Sequence, residues 1–252
     1  MVGKYEAWVQ VFLVQARQRA SIVIGSVIMP AFEIDHLFIC ASVEGVEGAR
    51  LVEFGLTEGA ANVHPGQGTA NRRFFFRNAM LELLWVHDPV EAQSESIRRT
   101  HLWERWSGRS TGRCPFGLCF RSVTAQVGEL PFPAWEYHPK YLPPALSLHV
   151  ATNSEVLSEP MLVYLAFGKR RNTHPEPKRD CFQHAAGFNE LTRVEIVSPH
   201  ADNVSTELRA LSDANLVKLR EGGEYLLELG FDGEPQRKQR DFRPFLPLAL
   251  HW

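Results

Sequence analysis

Ile34-Asp35-His36-Leu37-Phe38-Ile39, His64-Pro65-Gly66-Gln67-Gly68-Thr69-Ala70-Asn71 and Leu81-Glu82-Leu83-Leu84 are the stretches on which the reading of this chain turns. Residues 33–42 are rich in Ile and Phe and read as a strand, and residues 79–87 read as another. Strand side chains alternate between faces. His36 therefore shares a face with Ile34, Phe38 and Cys40, and Glu82 shares one with Met80, Leu84 and Val86. A carboxylate among apolar neighbours is costly unless it is paired or binds a metal. His and Glu are both good ligands for divalent ions. If the two strands approach, they offer one nitrogen and one oxygen to the same ion. A buried hydrogen-bonded His36–Glu82 pair without metal is the other reading, and spacing alone favours it.

Between these strands, residues 44–54 read as a short helix with Val46, Ala49, Leu51 and Val52 on one face, ended by Gly55. Residues 59–69 form a glycine-rich loop. Strands at 71–78 and 79–87 follow, joined at Arg77-Asn78-Ala79 by a tight turn. In the stretch 64–71, two glycines let the backbone pass close to a neighbour or ligand. His64 and Asn71 are candidate substrate-binding residues there, with a structural turn as the alternative. The Gly-Lys-Ser/Thr ending of a phosphate-binding loop is missing.

Downstream, 89–106 reads as helical, 114–122 as a strand, and 129–144 as an extended loop whose aromatics (Phe132, Trp135, Tyr137, Tyr141) should pack. Strands are expected at 145–151 and 161–167, then a basic solvated loop at 168–180. The last third repeats the opening order. It has a strand at 190–198, a helix at 201–214 capped by Asp202 with Val204, Leu208 and Leu211 on one face, and strands at 216–220 and 224–231. Leu191-Thr192-Arg193-Val194-Glu195-Ile196 thereby pairs with 34–39, and Leu227-Glu228-Leu229-Gly230 with 81–84, as an internal duplication.

The 252 residues are 44% hydrophobic and 22% charged, enough for a core and ordinary for a globular chain. With 27 Lys plus Arg against 29 Asp plus Glu, the net charge of −2 predicts neither nucleic-acid nor anionic-membrane partners. Of the cysteines Cys40, Cys114, Cys119 and Cys181, none forms a C-x-x-C pair. Buried free thiols, and hence a reducing, cytoplasmic setting, are expected. In residues 1–29 polar residues split the apolar runs, so neither a membrane span nor a signal peptide is expected. That segment reads as an extension outside the fold.

The three quoted stretches resemble the glyoxalase-like domain family of the vicinal-oxygen-chelate superfamily. The resemblance is clear over 33–88. It implies an α+β fold of paired βαβββ modules, whose curved mixed sheets enclose a cleft. The division expected is an extension (1–29), a first module (30–122), a strand- and loop-rich connection (123–189), a second, degenerate module (190–235) and a tail (236–252). In metal-using members the first strand of a module gives a His and its last strand a Glu, and His36 and Glu82 fall on those positions. Zn, Fe, Mn or Ni is the implied cofactor.

In the second module Arg193 would replace the His or Gln, and arginine does not ligate metals. It would instead bind a substrate carboxylate, or pair with Glu195 or Glu228. Glu228 keeps the carboxylate position and is the candidate general base. His149 is the candidate to replace the missing ligand, with a surface or core histidine as the commoner reading. Two functions remain open: a metal-dependent lyase, isomerase or dioxygenase acting on a small oxygen-rich molecule, or a metal-free protein that binds a small aromatic molecule, lined by Trp135, Phe74, Phe76 and Trp85. The resemblance also allows a homodimer in which two chains complete one site.

Overall fold

A computed structural model describes residues 21–24, 27–123, 130–170 and 182–252. Most of the extension, most of the basic loop 168–180, the start of the loop 129–144, and Cys181 lie outside the described residues. Strands β1 (Ser21–Ile24) and β2 (Val27–Pro30) pair with each other, as a two-stranded sheet.

The central element is β3 (Phe32–Cys40), where alternation decides what each residue faces. Leu37 and Ile39 enter one core cluster, while Phe38 and Cys40 enter another on the opposite side of the sheet. A helical turn at Val43–Gly45 and α1 (Gly48–Phe54) follow. The expected single helix is interrupted because Glu44 and Gly45 both have positive φ. Its broad apolar face is absent as well. Val46 and Val52 are exposed and Leu51 is fully buried, since seven residues present only a narrow stripe to the sheet. Gly55, left-handed at φ 111°, ends α1 as expected.

Strands β4 (Asn62–His64), β5 (Thr69–Phe75) and β6 (Met80–Val86) complete the first module. β6 lies parallel to β3, so a strand, a helix and three strands close on themselves in the order β4-β5-β6-β3. The helical stretch 89–106 breaks into α2 (Pro89–Ala92), α3 (Glu95–Arg98) and α4 (Leu102–Ser107).

Strands β7 (Phe116–Ser122), β8 (Ala134–Tyr137), β9 (Leu148–Ala151) and β10 (Met161–Leu165) then repeat the first module's strand order. β10 runs parallel to β7, as β6 does to β3, and β3 pairs antiparallel with β7. One eight-stranded sheet results, β4-β5-β6-β3-β7-β10-β9-β8, symmetric about the β3/β7 junction.

The duplication therefore joins 32–86 to 116–165, rather than 34–84 to 191–230. Residues 190–252 form a five-stranded sheet of another kind, from β11 (Leu191–Ser198), β12 (Lys218–Glu221), β13 (Leu226–Phe231), β14 (Gln239–Asp241) and β15 (Leu248–His251), in the order β12-β11-β13-β15-β14. Here β11 is antiparallel to β13, whereas first and last strands of the other modules run parallel. The expected tail supplies β14 and β15, and β15 is an inner strand. Helix α5 (Thr206–Asp213) is capped by Ser205, whose hydroxyl accepts from Leu208 N, rather than by Asp202.

The two sheets share one core. Leu37, Ile39, Leu81 and Leu118 from the large sheet join Val194, Ile196, Leu227 and Leu229 from the small one. With one face of the large sheet so covered, its other face is left to form a cavity. No helix among the described residues is long and apolar enough to cross a membrane.

Candidate functional site

The cavity is about 190 Å³ and lies on the face of the eight-stranded sheet that carries Phe38, Leu84, Val150 and Val163. Strands from β3 across to β10 line it, so the sheet curves around it. Its wall is mostly apolar, and its polar residues include His36, His64, Gln67, Glu82, Cys119 and Tyr137. Tyr141 adds a ring tilted against His64, with centroids 4.8 Å apart.

Sequence alternation put His36 and Glu82 on inward faces, and both line this cavity. The register of β3 shifts between Ile34 and His36, which leaves Asp35 as an extra residue opposite β7. Such a bulge re-aims side chains. Asp35 thereby reaches its own neighbour: His36 Nδ1–H donates to Asp35 Oδ1 at 2.7 Å. Arg121, 1% exposed, donates to Asp35 Oδ2 at 2.7 Å and to Glu33 Oε1 at 2.9 Å, so Asp35 stays an acceptor. Asp35 therefore takes Nδ1–H, and Nε2 is left for the other groups around the ring.

Cys119 stands opposite His36 in the β3/β7 pairing and interacts with its ring. Burial works against charge on His36. The Cys119 sulfur, the Glu82 carboxylate and the Asp35 hydrogen bond outweigh it and hold the pKa well above that of free imidazole. Burial pushes the Cys119 thiol up, and His36 is the main opposing influence.

His64 belongs to a different network. Tyr137 O–H donates to Gln67 Oε1 at 3.1 Å, and Gln67 Nε2 donates to Thr69 Oγ1 at 2.8 Å. The Thr69 hydroxyl also meets His64 Nδ1, 2.9 Å away, and has its own proton to donate there. With Thr69 as the donor, a neutral His64 carries its proton on Nε2 and is itself a donor there. Burial lowers the His64 pKa, in keeping with a neutral ring. The turn carrying these residues is held from outside. Gly66 N donates to Glu91 Oε1 at 2.7 Å, and Asp88 caps α2. Gly68 sits at φ 72°, and any side chain there would be driven into the Asp88 carbonyl. Glu82 is 7% exposed and has no hydrogen bond among the described residues.

The other sequence candidates lie elsewhere. Asn71 is fully buried and ties β5 to β4, with Oδ1 accepting from Asn62 N at 3.0 Å. It does not line the cavity. Arg193 and Glu228 lie on the small sheet, in an ion network where Arg193 donates to Glu234 Oε1 at 2.6 Å and to Glu195 Oε2 at 3.0 Å, and Glu228 meets Arg220 and His251. This position follows from the true duplication, which pairs β3 with β7 and leaves β11 and β13 in the other sheet. Arg193 therefore takes the salt-bridge alternative. His149 points away from the cavity, which its neighbours Leu148 and Val150 line, and packs against Tyr164. Phe74 and Phe76 are core. Sequence reasoning missed Asp35, Gln67, Cys119 and Tyr137. Cys119 shares a strand face with Gly117 and Arg121, and only the β3/β7 register reveals its partner.

A divalent ion does not fit this donor set. Among the described residues no three His, Cys, Asp or Glu side chains are grouped to hold one. In the second module, Cys119 stands opposite His36, and the strand matching that of Glu82 offers Val163 and Leu165 to the cavity.

The two modules and their shared eight-stranded sheet give the α+β arrangement of curved mixed sheets around a cleft that the resemblance implied. No family model and no curated protein sequence matches the chain. Solved structures similar to it include a hypothetical protein from Staphylococcus aureus (8% identity, TM-score 0.46, covering 87% of this chain and 99% of that one). A xylose isomerase-like TIM barrel/4-hydroxyphenylpyruvate dioxygenase fusion protein is similar at 10% identity and TM-score 0.40, covering 90% of this chain and 41% of its own. A methylmalonyl-CoA epimerase in complex with methylmalonyl-CoA and NH4+ is similar at 14% and 0.35, covering 56% of this chain and 99% of its own. Likeness at these values carries no function to this chain.

Proposed function

We propose that the cavity of the eight-stranded sheet binds a small, mainly apolar organic molecule that bears oxygen groups at one end, without a metal. The observation that carries this reading is the juxtaposition of an apolar wall with a buried polar end where His64 offers an N–H and Glu82 an unengaged carboxylate. A carbonyl oxygen would accept from His64 Nε2, and a hydroxyl would donate to Glu82. Both contacts form away from water, where they are strongest. The size of the cavity limits the ligand, since pockets for drug-sized molecules run to roughly 300–1,000 Å³. With His36 beside Glu82, the same end can give and take a proton, as acid–base chemistry on the bound molecule requires. Every residue in this reading comes from one chain.

The test is a thermal-shift screen of small aromatic and aliphatic hydroxy-carbonyl fragments against the wild type and Leu148→Trp. Leu148 is a partly exposed wall residue, and a Trp there fills the cavity from its rim. Hits that stabilise the wild type and lose their effect in the variant support the reading. Hits indifferent to the variant place the binding site elsewhere.

A further inference from the structure

Cys119, His36 and Asp35 form a chain that the binding reading leaves unused. A reactive nucleophile is recognised by a base within reach and a third group that orients the base. All the parts are here. The thiol of Cys119 lies across the β3/β7 pairing from His36, and directly opposed residues keep their Cβ atoms about 4.5–5.5 Å apart. Asp35 takes His36 Nδ1–H, and the ring also interacts with the Cys119 thiol, whose ionisation His36 favours against the effect of burial. Arg121, itself buried, locks Asp35 in place. Cys119 and His36 both line the cavity, and Cys40 and Cys114 do not. Glu82, more than nine-tenths buried and without a hydrogen bond among the described residues, faces the same space.

We propose that Cys119 is a nucleophile, aimed by His36 and Asp35, and that the cavity captures small α,β-unsaturated carbonyl compounds through it. The inference rests on the cavity being a small-molecule site. The carbonyl oxygen accepts from His64 Nε2, which draws electron density from the β-carbon. The sulfur–carbon bond forms at that β-carbon as the C=C π pair moves to the α-carbon. The α-carbon takes the proton that the sulfur and His36 share. Nothing leaves, and no oxidant, reductant or further reactant is needed. Cys119 and His36 are the catalytic residues of this step; Asp35 and Arg121 are positioning residues.

The test uses but-3-en-2-one as probe on the full chain, in a Cys181→Ser background so that Cys40, Cys114 and Cys119 are the remaining thiols. Intact-protein mass spectrometry follows the adduct, and peptide mapping locates it. A single adduct on Cys119 is expected, absent in Cys119→Ser and blocked by Leu148→Trp. His36→Ala should slow its formation by about 100-fold, the scale of a lost acid–base partner. Asp35→Asn should slow it while leaving fragment thermal shifts intact, a split that a merely structural role would not produce. The mapping in the Cys181→Ser protein needs no substitution in the cavity. An adduct on other cysteines, or a Cys119 rate indifferent to His36 and to the Leu148 plug, overturns the proposal. Fragments that bind with no Cys119 adduct overturn this inference alone, and a cavity that binds nothing removes both readings.

Discussion

His36 and Cys119 face one another across the antiparallel β3/β7 pairing, at the junction where the two four-stranded modules meet. Asp35 and Arg121 stand beside them, so the polar chemistry of the cavity is built at the symmetry element of the sheet.

Arg121 is the anchor of that arrangement. It is 1% exposed and pairs with Asp35 and Glu33. Removing one partner of a buried pair leaves an uncompensated charge and costs about 3–5 kcal/mol. Arg121→Ala should lower the urea unfolding free energy by that amount, and a loss below about 1 kcal/mol would remove Arg121 from this role.

His64 and His36 give opposite pH signatures. Burial lowers the His64 pKa below 6.5, so the folded chain binds fewer protons there than the unfolded chain does. Its contribution is present above about pH 6.5 and is lost as pH falls through the folded pKa. His36 is raised, so its contribution is full below its unfolded value and is lost as pH climbs through the folded one. Urea midpoints from pH 5 to 9 should therefore fall less on the acid side in His64→Gln than in wild type. Parallel acid limbs would contradict the His64 assignment.

Gly68 tests the turn that carries His64 and Gln67. Its φ of 72° and the Asp88 carbonyl exclude a side chain. Gly68→Ala should destabilise by more than about 1 kcal/mol and weaken fragment binding as well, since His64 and the relay through Thr69 share the turn. Calorimetry that finds a neutral variant would contradict this.

The donor set predicts that purified protein, incubated with zinc, iron, manganese or nickel and then desalted, retains none in stoichiometric amount. Elemental analysis reads this directly. Retention of one equivalent that His36→Ala and Glu82→Ala both abolish would return the site to metal chemistry.

How much of this was legible in the sequence depends on range. The alternation that placed His36 and Glu82 inward is local, and both reach the cavity. Gly55 closing α1 is local too. The duplication was misassigned because Leu191–Ile196 resembles β3 in hydrophobic pattern, while the true counterpart β7 pairs with β3 through register and carries Cys119 opposite His36. A pattern of apolar residues reports burial and not strand order. Arg193 and Glu228 followed that error into the wrong sheet. Asp35 was out of reach because a bulge breaks the alternation on which the face assignment rests. Tyr137 and Tyr141 were read correctly as packing aromatics, but only the folded sheet turns that loop towards His64.

The most direct test of the cavity as the functional site uses the chain's own reporters. Met80 and Met161 line it, on β6 and β10. Carbon-13 methyl labelling of methionine, followed during titration with a stabilising fragment, should shift both resonances in one saturable transition, and Leu148→Trp should abolish the effect. A fragment that stabilises the protein while both methyl signals stay fixed would contradict the account.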